Sequence, residues 1–150
     1  MRSDDKCESC GRKYNWFEKV FKGEYLKHCA YCGKSFCSQC IKYFGDNYYR
    51  FPICQDCLNK GNFVKTWPST YLGKIPIDYN FKTLPISSDY YKNKDLSLWE
   101  LRISAGVKGF DGIYNVTYIR YVESEETESG GVYKYSVWKA TGVAFRLRKK

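Results

Sequence analysis

The chain has 150 residues, 43% of them apolar and 19% aromatic, which is enough to bury a core and excludes a disordered tail. No run approaches the roughly 20 apolar residues that span a bilayer, and the opening MRSDDKCESC carries charges where a secretory leader has an apolar segment. An intracellular, cytoplasmic location is therefore expected. The formal charge of +9 suits an anionic partner without identifying one, because the basic residues are spread through both halves and only RLRKK at 146–150 is a dense run.

All eight cysteines fall in the first 57 residues, as four C-x-x-C pairs: Cys7/Cys10, Cys29/Cys32, Cys37/Cys40 and Cys54/Cys57. In a reducing compartment such pairs are metal ligands more often than disulfides. The two-residue spacing brings both sulfurs of a tight turn to one ion, and two such turns complete a tetrahedral four-cysteine site. Four pairs therefore predict two structural zinc ions per chain. The gaps between pairs are 18, 4 and 13 residues. The four-residue gap, GKSF, is too short for the second and third pairs to face each other across one ion. That leaves sequential pairing (first with second, third with fourth) or interleaved pairing (first with third, second with fourth), and spacing does not choose.

The first gap contains KYNWFEKVF, where Tyr14, Phe17 and Phe21 fall near one helical face with Trp16 and Val20 beside it. A short helix or loop closing the small core is expected here; the alternative is an exposed patch at Trp16 and Phe17 for a partner or membrane surface.

HCAYCGKSFCSQC, followed by ICQDC, resembles the FYVE class of zinc finger, whose core reads H-C-x-x-C-G-x-x-F-C-x-x-C and closes on a further C-x-x-C. The match takes in His28, Gly33, Phe36 and all eight cysteines, over roughly residues 7–60. The resemblance implies a cross-brace: Cys7, Cys10, Cys37 and Cys40 on one zinc, and Cys29, Cys32, Cys54 and Cys57 on the other. Its lipid-binding members carry a basic R-[R/K]-H-H-C-R motif. Here those places read YLKHCA, residues 25–30, leaving Lys27 and His28 without the flanking cations. The upstream W-x-x-D has no room before Cys7, and R-V-C is replaced by Pro52-Ile53-Cys54. A phosphomonoester needs several convergent cations and N–H donors, so specific phosphoinositide binding is not expected. His28 is read as a hydrogen-bonded structural ring, and with no other histidine or visible triad the chain is not expected to be an enzyme.

Beyond Lys60 the cysteines stop and Pro68, Pro76 and Pro85 appear. TWPSTYLGKIPIDYN predicts an extended connector with a first strand. LWELRIS is read as a strand, with Trp99, Leu101 and Ile103 on one face and Glu100 and Arg102 on the other. GIYNVTYIRYVE, VYKYSVW and VAFRLR continue the two-residue period, with Val143, Phe145 and Leu147 inward, and ESEETESGG predicts a hairpin tip. The expected organisation is a zinc finger over 1–62 and a mainly antiparallel β domain, a small sandwich or barrel, over 63–150.

These readings describe a zinc-binding, non-catalytic interaction or adaptor protein that presents a surface to a protein partner. One alternative is a nucleic-acid binder using Tyr118, Arg120, Tyr133, Lys134 and Tyr135 as an aromatic and basic platform. Another is attachment to an anionic membrane through Trp16, Phe17 and Lys27, without phosphatidylinositol 3-phosphate specificity.

Overall fold

The structure is a computed structural model in which residues 6–21, 23 and 25–148 are described. The side chain of Phe21 and the last two residues of RLRKK lie outside the described part. Helix α1 (Trp16–Phe21) opens on a reciprocal cap. Asn15 Oδ1 accepts the Glu18 N–H at 2.8 Å, and Glu18 Oε1 accepts the Asn15 N–H at 3.1 Å. Two small antiparallel ribbons follow: β1 (Lys27–His28) with β2 (Ser35–Phe36), and β3 (Lys42–Gly45) with β4 (Arg50–Ile53). Helix α2 (Gln55–Asn62) starts directly after Cys54 and carries Cys57.

The second half contributes β5 (Lys65–Pro68), β6 (Leu84–Ser87), α3 (Lys94–Val107), β7 (Gly112–Glu126) and β8 (Val132–Phe145). Their sheet has the order β5-β7-β8-β6, with β5 parallel to β7 and the other pairs antiparallel. It is a mixed, open sheet. The expected barrel does not close: both outer strands contain a proline, Pro68 and Pro85, which removes a ladder donor at each edge. A helix, and not a second sheet, packs on it.

That helix is α3, and it corrects the strand reading of LWELRIS. Asn93 caps it, its side chain accepting the Asp95 N–H at 2.8 Å. Two apolar stripes run along it at helical spacing. Leu98, Leu101 and Ala105 face the sheet, in a core with Val64, Ile86, Ile113, Val116, Ala140 and Ala144. Leu96, Trp99, Ile103 and Val107 face the other way, into the core built around the cysteines. The alternation of Trp99, Leu101 and Ile103 is thus two interleaved helical stripes read as one strand face.

α3 crosses α2 at close range. A Cβ on Gly61 would sit 2.8 Å from Ile103 Cγ1, and one on Gly106 would sit 2.5 Å from the Lys60 carbonyl oxygen. Only glycine fits at either position. The cysteine core therefore contains Tyr91 and Ile103 alongside residues 7–57, so one contiguous apolar cluster extends across residue 62.

VYKYSVW and the first three residues of VAFRLR form one continuous strand, β8. Gly142 does not break it; Ile113 Cγ2 lies 2.6 Å from where its Cβ would be. Opposite it, β7 bulges between Tyr114 and Thr117, with Asn115 at φ 57°. The expected inward set also changes. Ala140 and Ala144 face α3, where small side chains let the helix approach, while Phe145 is buried against Trp67 and Tyr114 and Val143 and Leu147 are half-buried. Beyond Thr117 and Thr141 the β7–β8 pair continues as a ribbon to a tip at Thr127–Gly131, where ESEETESGG predicted a hairpin.

Candidate metal centres

The eight thiols gather into two groups of four. Cys7, Cys10, Cys37 and Cys40 form one, Cys29, Cys32, Cys54 and Cys57 the other, and within each the sulfurs lie within 4.8 Å of one another. Cys10 and Cys37 sulfurs are 3.7 Å apart, Cys29 and Cys57 3.7 Å, and Cys32 and Cys54 3.8 Å. A tetrahedron with metal–sulfur bonds of about 2.3 Å has edges of about 3.8 Å. All eight cysteines are free thiols. Four sulfurs at that spacing fit one four-coordinate ion per group, and the thiolate-only donor set suits zinc.

Local structure holds the sulfurs in place. The first three C-x-x-C pairs are turns and the fourth opens α2; Gly11 and Gly33 N–H donate to the Cys7 and Cys29 carbonyls at 2.8 and 3.0 Å. Buried Tyr14 ties the first knuckle's flank to the third, its hydroxyl accepting the Ser38 N–H at 3.1 Å. The Cys54 N–H reaches Cys29 Sγ at 3.4 Å across the second group.

The electrostatics are those of crowded thiols. Burial by itself raises the Cys7 thiol, but the N–H groups of Cys10, Cys37 and Ser9 outweigh it and bring it down to about 6. Burial likewise raises Cys29, and the N–H groups of Cys32, Cys54 and Tyr31 overcome it, so that this thiol falls to about 7. Their neighbours move the other way. Hydrogen bonding to the Cys37, Cys10 and Cys7 sulfurs pushes Cys40 up to about 12, and burial followed by the Cys54 and Cys29 sulfurs pushes Cys57 up. Each group stabilises some thiolate and resists four, a conflict that a bound dication removes.

The remaining sequence candidates do not converge. Trp16 and Phe17 stand on α1 at 69% and 54% exposure, so of the residues expected to close the small core, Tyr14 does so and these two face out. Lys27 is exposed on β1 opposite Phe36. His28 is exposed and belongs to neither thiol group; its Nδ1 lies 3.3 Å from both the Gly33 carbonyl and Ser35 Oγ. The five platform residues are divided by the register of the β7–β8 ribbon. Tyr118, Arg120 and Lys134 share one face, opposite Ala140, Trp138 and Ser124. Tyr133 and Tyr135 lie on the other, opposite Glu125 and Glu123, and the Tyr135 hydroxyl donates to Glu125 at 3.1 Å. Arg120 donates to Ser136, and Lys94 covers the Tyr118 ring at 4.3 Å.

The fold also gathers residues that sequence reasoning did not single out. Tyr31, Tyr49, Phe51, Asp89 and Glu100 come from four separate segments to line one small cavity. The only local signal was an acidic residue in LWELRIS, which a strand reading sends to solvent and the helix buries.

Comparison with protein-family models, with curated proteins and with solved structures found no match. Among the described residues, no helix is long and apolar enough to cross a membrane.

Proposed function

We propose that residues 7–60 form a FYVE-like cross-brace finger holding two structural zinc ions, and that the whole chain is a non-catalytic interaction or adaptor protein that engages a protein partner. The observation that carries this reading is the pair of four-cysteine groups, with sulfur spacings suited to tetrahedral zinc. Each ion contributes about 10–16 kcal/mol of apparent folding free energy, which a short module with little apolar core needs. Closed four-thiolate sites leave no open position for substrate or water, which favours a structural role over a catalytic one.

Support for a protein partner comes from the surface. Trp16, Phe17 and Val20 are all more than half exposed on one short helix, an arrangement typical of an interaction patch. Single-strand nucleic-acid binding draws less support, since Tyr133 and Tyr135 lie opposite glutamates and away from Arg120. Elemental analysis should return two zinc ions per chain; about one ion, or disulfides by mass, overturns the module. Capture from source-cell lysate with and without nuclease should retain the same protein partner, and loss of all binding after nuclease overturns the adaptor role.

A further inference from the structure

The cavity between the Cys29–Cys32 knuckle, the β3–β4 hairpin and α3 has a volume of about 170 Å³. Tyr31 and Phe51 line it with ring centroids 5.6 Å apart and planes at 70°, and Tyr49 stands 5.7 Å from Phe51 at 52°. The rings meet edge-on or tilted and are not stacked, and all three line the cavity. Asp89 stands exposed among the lining residues, and Glu100 is 5% exposed.

Glu100 is the group that makes this more than a gap between aromatic rings. Its two carboxylate oxygens share the Asp89 N–H at 3.1 and 3.2 Å, and the Tyr91 hydroxyl stands beside them. A carboxyl group has more hydrogen-bonding capacity than these donors use, and among the described residues no lysine or arginine pairs with it. The fully buried Tyr91 hydroxyl has no hydrogen-bond partner apart from this carboxylate. A nine-tenths-buried carboxylate normally has a cation or several donors around it. Here it faces a cavity walled by three aromatic rings, whose faces attract cations.

We propose that this cavity receives an alkylammonium group that retains at least one N–H, as carried by an unmodified or partly methylated lysine side chain of a partner protein. The ring faces take the methylene and methyl surface, and Glu100 and Asp89 accept the N–H and balance its charge. The volume suits a single side-chain head and excludes a nucleotide base with its sugar. A quaternary ammonium fits the rings but gives the carboxylates no proton to accept. The pocket needs the cysteine module folded, because Tyr31 lies inside a knuckle, but it does not need the adaptor reading.

The probes are N-acetyl-lysine methylamide, its dimethyl and trimethyl forms, and the norleucine analogue, which is neutral and of similar shape. Each is titrated into the full, metal-loaded chain while backbone amide resonances are followed by NMR. Saturable shifts at Tyr31, Tyr49 and Asp89 are expected in the millimolar range with the lysine and dimethyl-lysine probes. The trimethyl form should bind about tenfold more weakly, and norleucine should produce none of these shifts. Glu100→Gln should lower lysine affinity about tenfold or more with metal content and spectral dispersion kept. Tyr49→Leu, at an exposed wall, gives an independent loss should Glu100→Gln disturb folding. Equal shifts with norleucine, no saturable shift, or unchanged binding in a folded variant overturns the pocket. Metal content of the same samples separates this outcome from failure of the zinc module: a chain with two ions and no lysine binding refutes the pocket alone.

Discussion

Ile103 is one of the side chains through which the cysteine module and the β sheet hold each other. It is fully buried on α3, its Cγ1 lies against Gly61 of α2, and it belongs to the apolar cluster that contains five of the eight cysteines, with a sixth, Cys40, packed against it. Truncating such a residue to alanine costs about 2–5 kcal/mol, depending on how far the site collapses. If that core is one cooperative unit, the loss also weakens metal binding. Metal bound to the folded state alone has an apparent affinity reduced by whatever destabilises that state. A loss of about 3 kcal/mol then corresponds to roughly two orders of magnitude. Ile103→Ala should therefore give up zinc at much lower concentrations of a competing chelator, with β-sheet amides losing exchange protection in step with metal release. Tyr133→Ala, on the exposed ribbon, should change neither property. The reasoning fails if Ile103→Ala lowers the melting temperature but leaves the chelator midpoint unchanged, because α3 would then stabilise the sheet without stabilising the metal sites.

Replacing Cys37 or Cys54 by serine removes one ligand from a closed group of four, and metal analysis with circular dichroism should report a lost ion and an unfolded module. Liposomes containing phosphatidylinositol 3-phosphate should bind no better than liposomes of matched charge with another anionic lipid, since YLKHCA supplies only Lys27 and His28; a clear preference at matched charge refutes this. Gly106→Val places side-chain carbon against the Lys60 carbonyl and should cost about 1–3 kcal/mol, lowering the melting temperature by several degrees. Burial raises the Glu100 carboxyl from 4.5 to about 7 although the Asp89 N–H opposes it. Between those values the folded chain keeps a proton that the unfolded chain has released, so stability falls as pH rises through this window. Glu100→Gln should flatten that fall, and a melting-temperature difference from the parent that stays constant between pH 4.5 and 7 refutes the assignment.

The two four-cysteine groups were legible as candidate metal sites because their chemistry is local. A C-x-x-C turn is complete within four residues, so its spacing alone identifies it, and the pairs at 7/10, 29/32, 37/40 and 54/57 stand in the structure as sulfur groups. The long strand from Gly112 was legible for a related reason: β-branched and aromatic residues over a dozen positions leave little choice of period, and Gly130 and Gly131 mark its hairpin. α3 was not legible, since a helix buried on two sides carries two apolar stripes, and over seven residues their union alternates like a strand. The cues that separate the cases lie outside the window. Asn93 and Asp95 mark a helix start, and Leu96 and Leu98 extend both stripes backward at helical spacing.

The misreading of α3 also hid what the helix does. Read as a strand, LWELRIS places Glu100 and Arg102 together on a solvated face. As a helix it separates them: Arg102 reaches back to the Val64 and Asn62 carbonyls at 3.1 and 3.2 Å, securing the end of α2, while Glu100 turns inward beside the Cys29–Cys32 knuckle. Three roles therefore share fourteen residues: covering the sheet, closing the cysteine core, and placing a carboxylate behind Tyr31. Gly61 and Gly106 allow all three, because only a close crossing with α2 brings Ile103 into the cysteine core while Leu101 remains on the sheet. Loss of either glycine should thus disturb metal retention and sheet stability together, whereas damage confined to the β7–β8 ribbon should leave both intact.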